Sequence, residues 1–167
     1  SGERSGLWRS RGRAPQKLVG LGFSTEGFDQ SEPFERMPDS FHKNVSWIFD
    51  GIGDEELIGD FGLALGGAAG IELDRYDLTL GTPPHTMLVA ASHGHSDNYP
   101  LVSEDITYAF PGRGGTQDPQ VRGDMIYFNT PNNGAVFAAG SIAWSQALPI
   151  NDGDNNILDP GEVANGN

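Results

Sequence analysis

The residues best suited to chemistry follow a glycine-rich loop, Gly66-Gly67-Ala68-Ala69-Gly70-Ile71, which ends on Glu72 with Asp74, Arg75 and Asp77 close behind. Gly66, Gly67 and Gly70 permit close backbone approach or positive φ, so such a loop can set a carboxylate where an ordinary one could not. If partly desolvated, Glu72 would have a raised pKa and could serve as a general acid or base. The structural alternatives are a salt bridge to Arg75 or a capping role. Either way, the loop suits the wall of an active site better than a linker.

A second candidate is His93-Gly94-His95-Ser96-Asp97. At a period of two, both imidazoles and the carboxylate would project from one face of an extended segment, a plausible transition-metal set. The run is similar to the His-x-His-x-Asp-His pattern of metallo-β-lactamase-like hydrolases, with Asn98 where the last histidine would stand. The alternative is a polar loop in which Asp97 and Asn98 bond the backbone. His85, after Pro83-Pro84, reads as structural. Other motifs are incomplete. Gly20-x-Gly22 has Thr25 in place of the third glycine of a dinucleotide fingerprint, and no Gly-x-Ser-x-Gly is present. Asp152-x-Asp154-x-Asn156 opens like a calcium loop but continues with Ile157 and Val163, where glycine and an acid are needed.

The elements expected to carry these residues are short. Apolar segments at 18–23, 45–49, 86–91, 125–129 and 135–139 read as strands, with 86–91 buried on both faces. Asn133-Gly134 between the last two is a hairpin signal. Short helices are expected over 54–61 and 99–106, and another after Ser141 as N-cap. Residues 111–119 form a surface loop. Phe23, Phe28, Phe34, Trp47 and Phe61 are core aromatics by default. Apolar strands with few helices suggest an α/β fold, the second half of a sheet whose helices lie partly outside this chain. Such a half-sheet would leave one edge exposed.

With 167 residues and a net charge of −13, the chain can hold one real core or the end of a larger one. Charge is uneven. Residues 1–17 carry five cations against Glu3, a net of +4, which leaves −17 for the rest. The organisation expected is therefore a basic connector over 1–17, a compact unit over 18–150 and a polar tail over 151–167. An acidic body disfavours nucleic acid and anionic membranes as partners. The absence of cysteine excludes disulfides and thiol nucleophiles. No apolar run nears the ~20 residues of a membrane span, so the chain reads as soluble and cytoplasmic.

The ordered set of segments resembles the C-terminal region of the large subunit of the N,N-dimethylformamidase family. The stretches that carry it include Gly6-Leu7-Trp8-Arg9, Gly51-Ile52-Gly53-Asp54, Ile58-Gly59-Asp60-Phe61-Gly62-Leu63, Gly66-Gly67-Ala68-Ala69-Gly70 and Glu72-Leu73-Asp74-Arg75-Tyr76-Asp77. Gly94-His95-Ser96-Asp97-Asn98-Tyr99, Asn133-Gly134-Ala135-Val136-Phe137 and Gly140-Ser141-Ile142-Ala143-Trp144 continue it, so that residues 6–150 match in order. The resemblance implies an amidohydrolase that cleaves N,N-dimethylformamide, or a similar small formamide, to amine and formate. It also implies a flavodoxin-like, glutamine-amidotransferase-like α/β domain, a small companion subunit and pairing of large subunits. The implied cofactor is a mononuclear iron held by a tyrosine and a His-x-Glu pair, ligands that this chain does not contain, so no metal ligand is assigned to it. Glu72 would then handle protons near the iron. Pro160 and Gly161 depart from the family pattern by breaking the final helix. Two other readings stand beside this one: a non-catalytic interaction domain of the same fold, and an independent metallohydrolase using His93, His95 and Asp97.

Overall fold

The computed structural model describes residues 8–62, 65–102 and 113–148, with the backbone of 150–151 and 157–158. Its central unit is an antiparallel four-stranded sheet in the order β2-β4-β5-β6, built from Phe34–Arg36, Met87–Ser92, Asp124–Thr130 and Gly134–Ala139. Strands β1, Leu21–Glu26, and β3, Glu72–Tyr76, form an antiparallel ribbon. Ile150–Asn151 and Ile157–Leu158, β7 and β8, make a separate short pair. Among the described residues the only α-helix is the single turn Gln16–Val19, α1; the other helical pieces are 3₁₀ turns.

Alternation along β5 sorts its side chains between two cores. Met125 and Tyr127 face the larger one, with Phe34, Val45, Phe49, Leu73, Val89 and Tyr99. Ile126 and Phe128 face the smaller one, with Leu21, Tyr76, Leu88 and Val136, where the β1–β3 ribbon covers the sheet. The β4–β5 pairing shifts between Leu88 and Ala90. This bulge lets consecutive Val89 and Ala90 both join the larger core.

The ribbon is tied to the sheet by backbone and by a buried charge. The Asp74 N–H donates to Gly140 O at 2.9 Å and the Ile142 N–H to Glu72 O at 3.2 Å, which continues β6 alongside β3. Asp124 is fully buried. Its carboxylate accepts from Arg122 Nε at 2.8 Å and from the Tyr76 N–H at 2.9 Å. Burial nonetheless pushes this carboxyl above its ordinary pKa.

These observations overturn the α/β, flavodoxin-like expectation. A parallel sheet needs crossover helices, whereas every ladder among the described residues is antiparallel and closes through turns and loops. Strand 86–91 is deeply buried, as expected, but that pattern reports only that both faces are covered, not which way the neighbours run. The helix expected over 54–61 does not form. Ile58 and Phe34 exchange backbone hydrogen bonds of 2.8 and 2.9 Å, and Gly59 takes φ +66°, so the segment is drawn against β2. Residues 45–49 form the 3₁₀ turn Ser46–Phe49 instead of a strand, with Val45 and Phe49 both in the core. The expected helix over 99–106 lies partly outside the described residues; within them, Leu101 pairs with Thr25 as an isolated β-bridge. After Ser141 comes only the 3₁₀ turn Trp144–Ala147.

The β5–β6 hairpin forms where Asn133-Gly134 signalled it. Its left-handed pair is Asn132 and Asn133, at φ +68° and +63°, while Gly134 begins β6. Of the expected core aromatics Phe34 is buried, whereas Phe28 and Trp47 are exposed. No helix among the described residues is long and apolar enough to cross a membrane.

Candidate functional site

The glycine-rich loop is pinned on one side by residues 29–32. Glu32 and Ala69 exchange backbone hydrogen bonds of 2.8 Å each, and the Ser31 N–H donates to Leu65 O at 2.7 Å. Gly67 is pressed onto this segment so closely that a Cβ would lie 2.6 Å from Ser31 O, which is why glycine stands there. Ser141 holds the other side. Its Oγ accepts from the Gly70 N–H at 2.9 Å and from the Ala143 N–H at 3.1 Å, and donates to Gly70 O at 3.1 Å. The cap expected of Ser141 is thus partly made, and the same hydroxyl latches the loop.

Ile71 closes the loop at φ +64°. For a β-branched residue this left-handed conformation is an outlier, and it persists only where the surroundings over-determine it. Here the Ile71 N–H donates to Tyr99 Oη at 3.3 Å, and Ile71 O accepts from the Gly27 N–H at 2.9 Å. Tyr99 is fully buried, and its hydroxyl donates in turn to Asp29 O at 2.9 Å. Glu72 follows directly, as the first residue of β3. Its side chain is exposed, opposite Glu26 in the ribbon. Arg75 pairs with Asp77 at 3.2 Å rather than with Glu72.

The three residues of the histidine motif do not converge. Strand β4 ends at Ser92, and Gly94 at φ +83° breaks the alternation. His95 turns inward and is fully buried, while His93 and Asp97 stay outside the core. Among the described residues no group of three His, Cys, Asp or Glu could hold a metal ion. His95 Nε2 lies 2.8 Å from Ser92 Oγ, which itself accepts from the Gly123 N–H at 2.8 Å. Ser92 Oγ also lies 3.4 Å from Gly123 O, so its proton has two acceptors within reach, and His95 Nδ1 is a buried atom without a partner. Burial, and secondarily His93, lowers the His95 pKa to about 4. The ring lies 4.9 Å from that of Tyr99. Asp97 fastens the neighbouring loop, accepting from Thr116 Oγ1 at 2.6 Å and Gln117 Nε2 at 3.2 Å, bonds that hold its pKa below the ordinary value. Residues 152, 154 and 156 of the calcium-like run lie outside the described residues. His85, as expected of a structural residue, bonds Asn129 O at 2.8 Å.

Two carboxylates that no sequence motif singles out join this region. Asp29 accepts from Ser96 Oγ at 2.5 Å and Asn98 Nδ2 at 2.9 Å, which lowers its pKa. Glu32 is half-buried beside the histidine loop, and burial, helped by Asp29, raises its pKa. Neighbouring carboxyls whose pKa values are pushed apart can divide acid and base roles. In a chain this rich in acids, no local signal distinguishes these two; only the approach of residues 29–32 to the two loops does.

A family model described as N,N-dimethylformamidase beta subunit-like, C-terminal, matches residues 1–156. The N,N-dimethylformamidase beta subunit of an Alcaligenes species is 51% identical over 157 residues, covering 94% of this chain and 21% of the relative. That of Paracoccus aminophilus is 50% identical with the same coverage. The chain thus spans about a fifth of the length of these curated relatives. It belongs to the family of N,N-dimethylformamidase beta subunit-like C-terminal regions.

Proposed function

We propose that this chain serves as the C-terminal part of an amidohydrolase that cleaves N,N-dimethylformamide or a similar small formamide to amine and formate. The observation that carries this reading is the identity of about half over nearly the whole chain to two N,N-dimethylformamidase beta subunits. The companion subunit and the pairing of large subunits implied by the resemblance belong to the same proposal.

Among the described residues no three His, Cys, Asp or Glu gather to hold a metal ion. In this proposal the iron is held by a tyrosine and a His-x-Glu pair elsewhere in the enzyme. This chain would cover the site and supply a carboxylate that handles the proton as the amine departs. Glu72 is the first choice, because a strained residue held by a buried tyrosine sets its position. Glu32 is the second, because burial favours its protonated form.

Dimethylamine release by the native assembly tests this. Loss of activity in Glu72→Gln with metal content unchanged supports Glu72. Full activity in that variant and loss in Glu32→Gln transfers the role to Glu32. Full activity in both removes this chain from proton handling and leaves the interaction-domain reading. If the unaltered assembly releases no amine from any small formamide, the proposed reaction is wrong.

A further inference from the structure

The two edges of the four-stranded sheet are finished differently. At one end β2 is only Phe34–Arg36 and carries the charges of Glu35 and Arg36. It is also covered, where Phe34 and Ile58 exchange backbone hydrogen bonds of 2.8 and 2.9 Å. Shortness, charge and cover are ordinary ways of guarding an edge. At the other end stands β6, Gly134–Ala139, with the sequence Gly-Ala-Val-Phe-Ala-Ala. It has no charge, no proline and an unshifted register with β5 over six positions. It lies in the longest stretch of the sequence without a charged residue, from Met125 to Asn151, in a chain of which 20% is charged.

The outer edge of β6 is open. The Gly140 N–H donates to Asp124 O. Alternation along the ladder then turns the N–H and C=O groups of Val136 and Ala138 toward β5, and those of Ala135 and Phe137 away from it. No strand among the described residues takes the outward groups up. The side chains beside them are apolar. Phe137 is 46% exposed and lies across from Tyr127, whose ring meets that of exposed Trp47 at 6.4 Å.

We propose that this edge is an interface between two copies of the chain, in which β6 pairs antiparallel with itself about a two-fold axis near Val136. Such pairing is self-complementary, since the outward groups of Ala135 in one copy meet those of Phe137 in the other, and the reverse. Charge selects a second copy as the occupant. The chain carries −13, so two copies repel at their acidic faces, whereas paired β6 strands bring no like charges together. A basic partner would gain nothing from an uncharged strand. The pairing joins both sheets into one and covers Phe137 on each side. It rests on the pairing of large subunits proposed above, gives that pairing a surface, and is independent of the amide chemistry.

Cysteine scanning of the complete large subunit in its native assembly, oxidised with diamide, tests it. A residue on the axis faces its own copy at about 4.5–5.5 Å between Cα atoms, within disulfide reach. A disulfide-linked pair of large subunits, beyond any in the unaltered assembly, is expected for one of Ala135→Cys, Val136→Cys and Phe137→Cys. None is expected for Leu57→Cys, an exposed residue at the guarded edge. Phe137→Lys, which brings two lysines together, should weaken large-subunit pairing at least about tenfold by sedimentation velocity. Unchanged pairing in that variant, or no cross-link at any of the three positions in an assembly that holds two large subunits, overturns the surface alone. A large subunit that is monomeric in the unaltered assembly overturns the pairing as well. Release of the companion subunit by Phe137→Lys, with the large subunits still paired, assigns the edge to that subunit and overturns the second copy. Should Phe137→Lys fail to fold, the cysteine scan decides.

Discussion

The β5–β6 hairpin and the pair of loops around Tyr99 border one molecule's cores but are held by different means. The hairpin is regular and apolar: six paired positions run from Met125 with Ala139 to Thr130 with Gly134, and β5 is packed on both faces. The loops contain Leu65, Gly66, Ile71 and Gly94 at positive φ, and besides backbone bonds to residues 27–32 their contacts are hydroxyls, carboxylates and one neutral imidazole. Strength in the first region comes from area removed from water, which titration does not touch. In the second it comes from directional bonds and a burial that depends on protonation. The region that stores strain is also the one that presents carboxylates to solvent, the arrangement expected of a site rather than a scaffold.

The largest single effect should come from the apolar side. Ile126→Ala, at a fully buried position, should cost about 4 kcal/mol of unfolding free energy and do so equally at pH 7 and pH 5. A cost that changed with pH would mean that the two regions are not held separately.

Acidification should act on the loop side. His95 has a folded pKa of about 4 against an ordinary 6.5, so it is kept neutral in the native state. Its contribution is fully present above pH 6.5 and is lost as pH falls from there through 4, a loss of about 3 kcal/mol. Asp29 and Asp97, whose pKa values are lowered, lose theirs only at still lower pH. Urea midpoints measured across that window should fall for the unaltered protein relative to His95→Gln, which keeps only the opposite trend of Glu32 and Asp124, carboxyls whose raised pKa values favour the fold as they are protonated. The same profile for both would show that His95 opens to water.

Tyr99→Phe removes the hydroxyl that joins Ile71 to Asp29 and should cost about 1–2 kcal/mol. A cost below about 0.5 kcal/mol would mean that the turn does not rely on it. Ile71→Gly should act in the opposite direction. The left-handed penalty of about 1–2 kcal/mol for an L side chain exceeds the roughly 0.5–1 kcal/mol entropy cost of glycine. A gain of about 0.5–1 kcal/mol in thermal or urea unfolding is expected; a loss of that size would show that Ile71 is not strained.

Much of the hairpin side was legible in the sequence. The alternation in Asp124–Thr130 and the turn residues before Gly134 are local signals, and local physics produced the element they announced. The loop side was legible only in part. Glycines at 66, 67 and 70 marked a place of close backbone approach, and Ser141 marked a cap. Nothing marked Asp29 or Glu32, which reach the loops through pairing of residues 31 and 32 with 65 and 69. The even spacing of His93, His95 and Asp97 misled, because a period of two orders side chains only while the backbone stays extended, and Gly94 turns it.

Local signals in the chain were enough for the strands at 86–91, 125–129 and 135–139, for the acidic body with its basic opening, and for membership in a family recognisable from ordered short motifs. Contacts in three dimensions were needed to pair the strands antiparallel, to make residues 54–61 give up a helix and bond Phe34, and to bring Arg9 and Arg75 into one cleft. The reason is one of range. Periodicity and turn chemistry act over a few neighbours, whereas strand direction, burial of a charge and the meeting of two loops are settled by contacts between residues far apart in the chain.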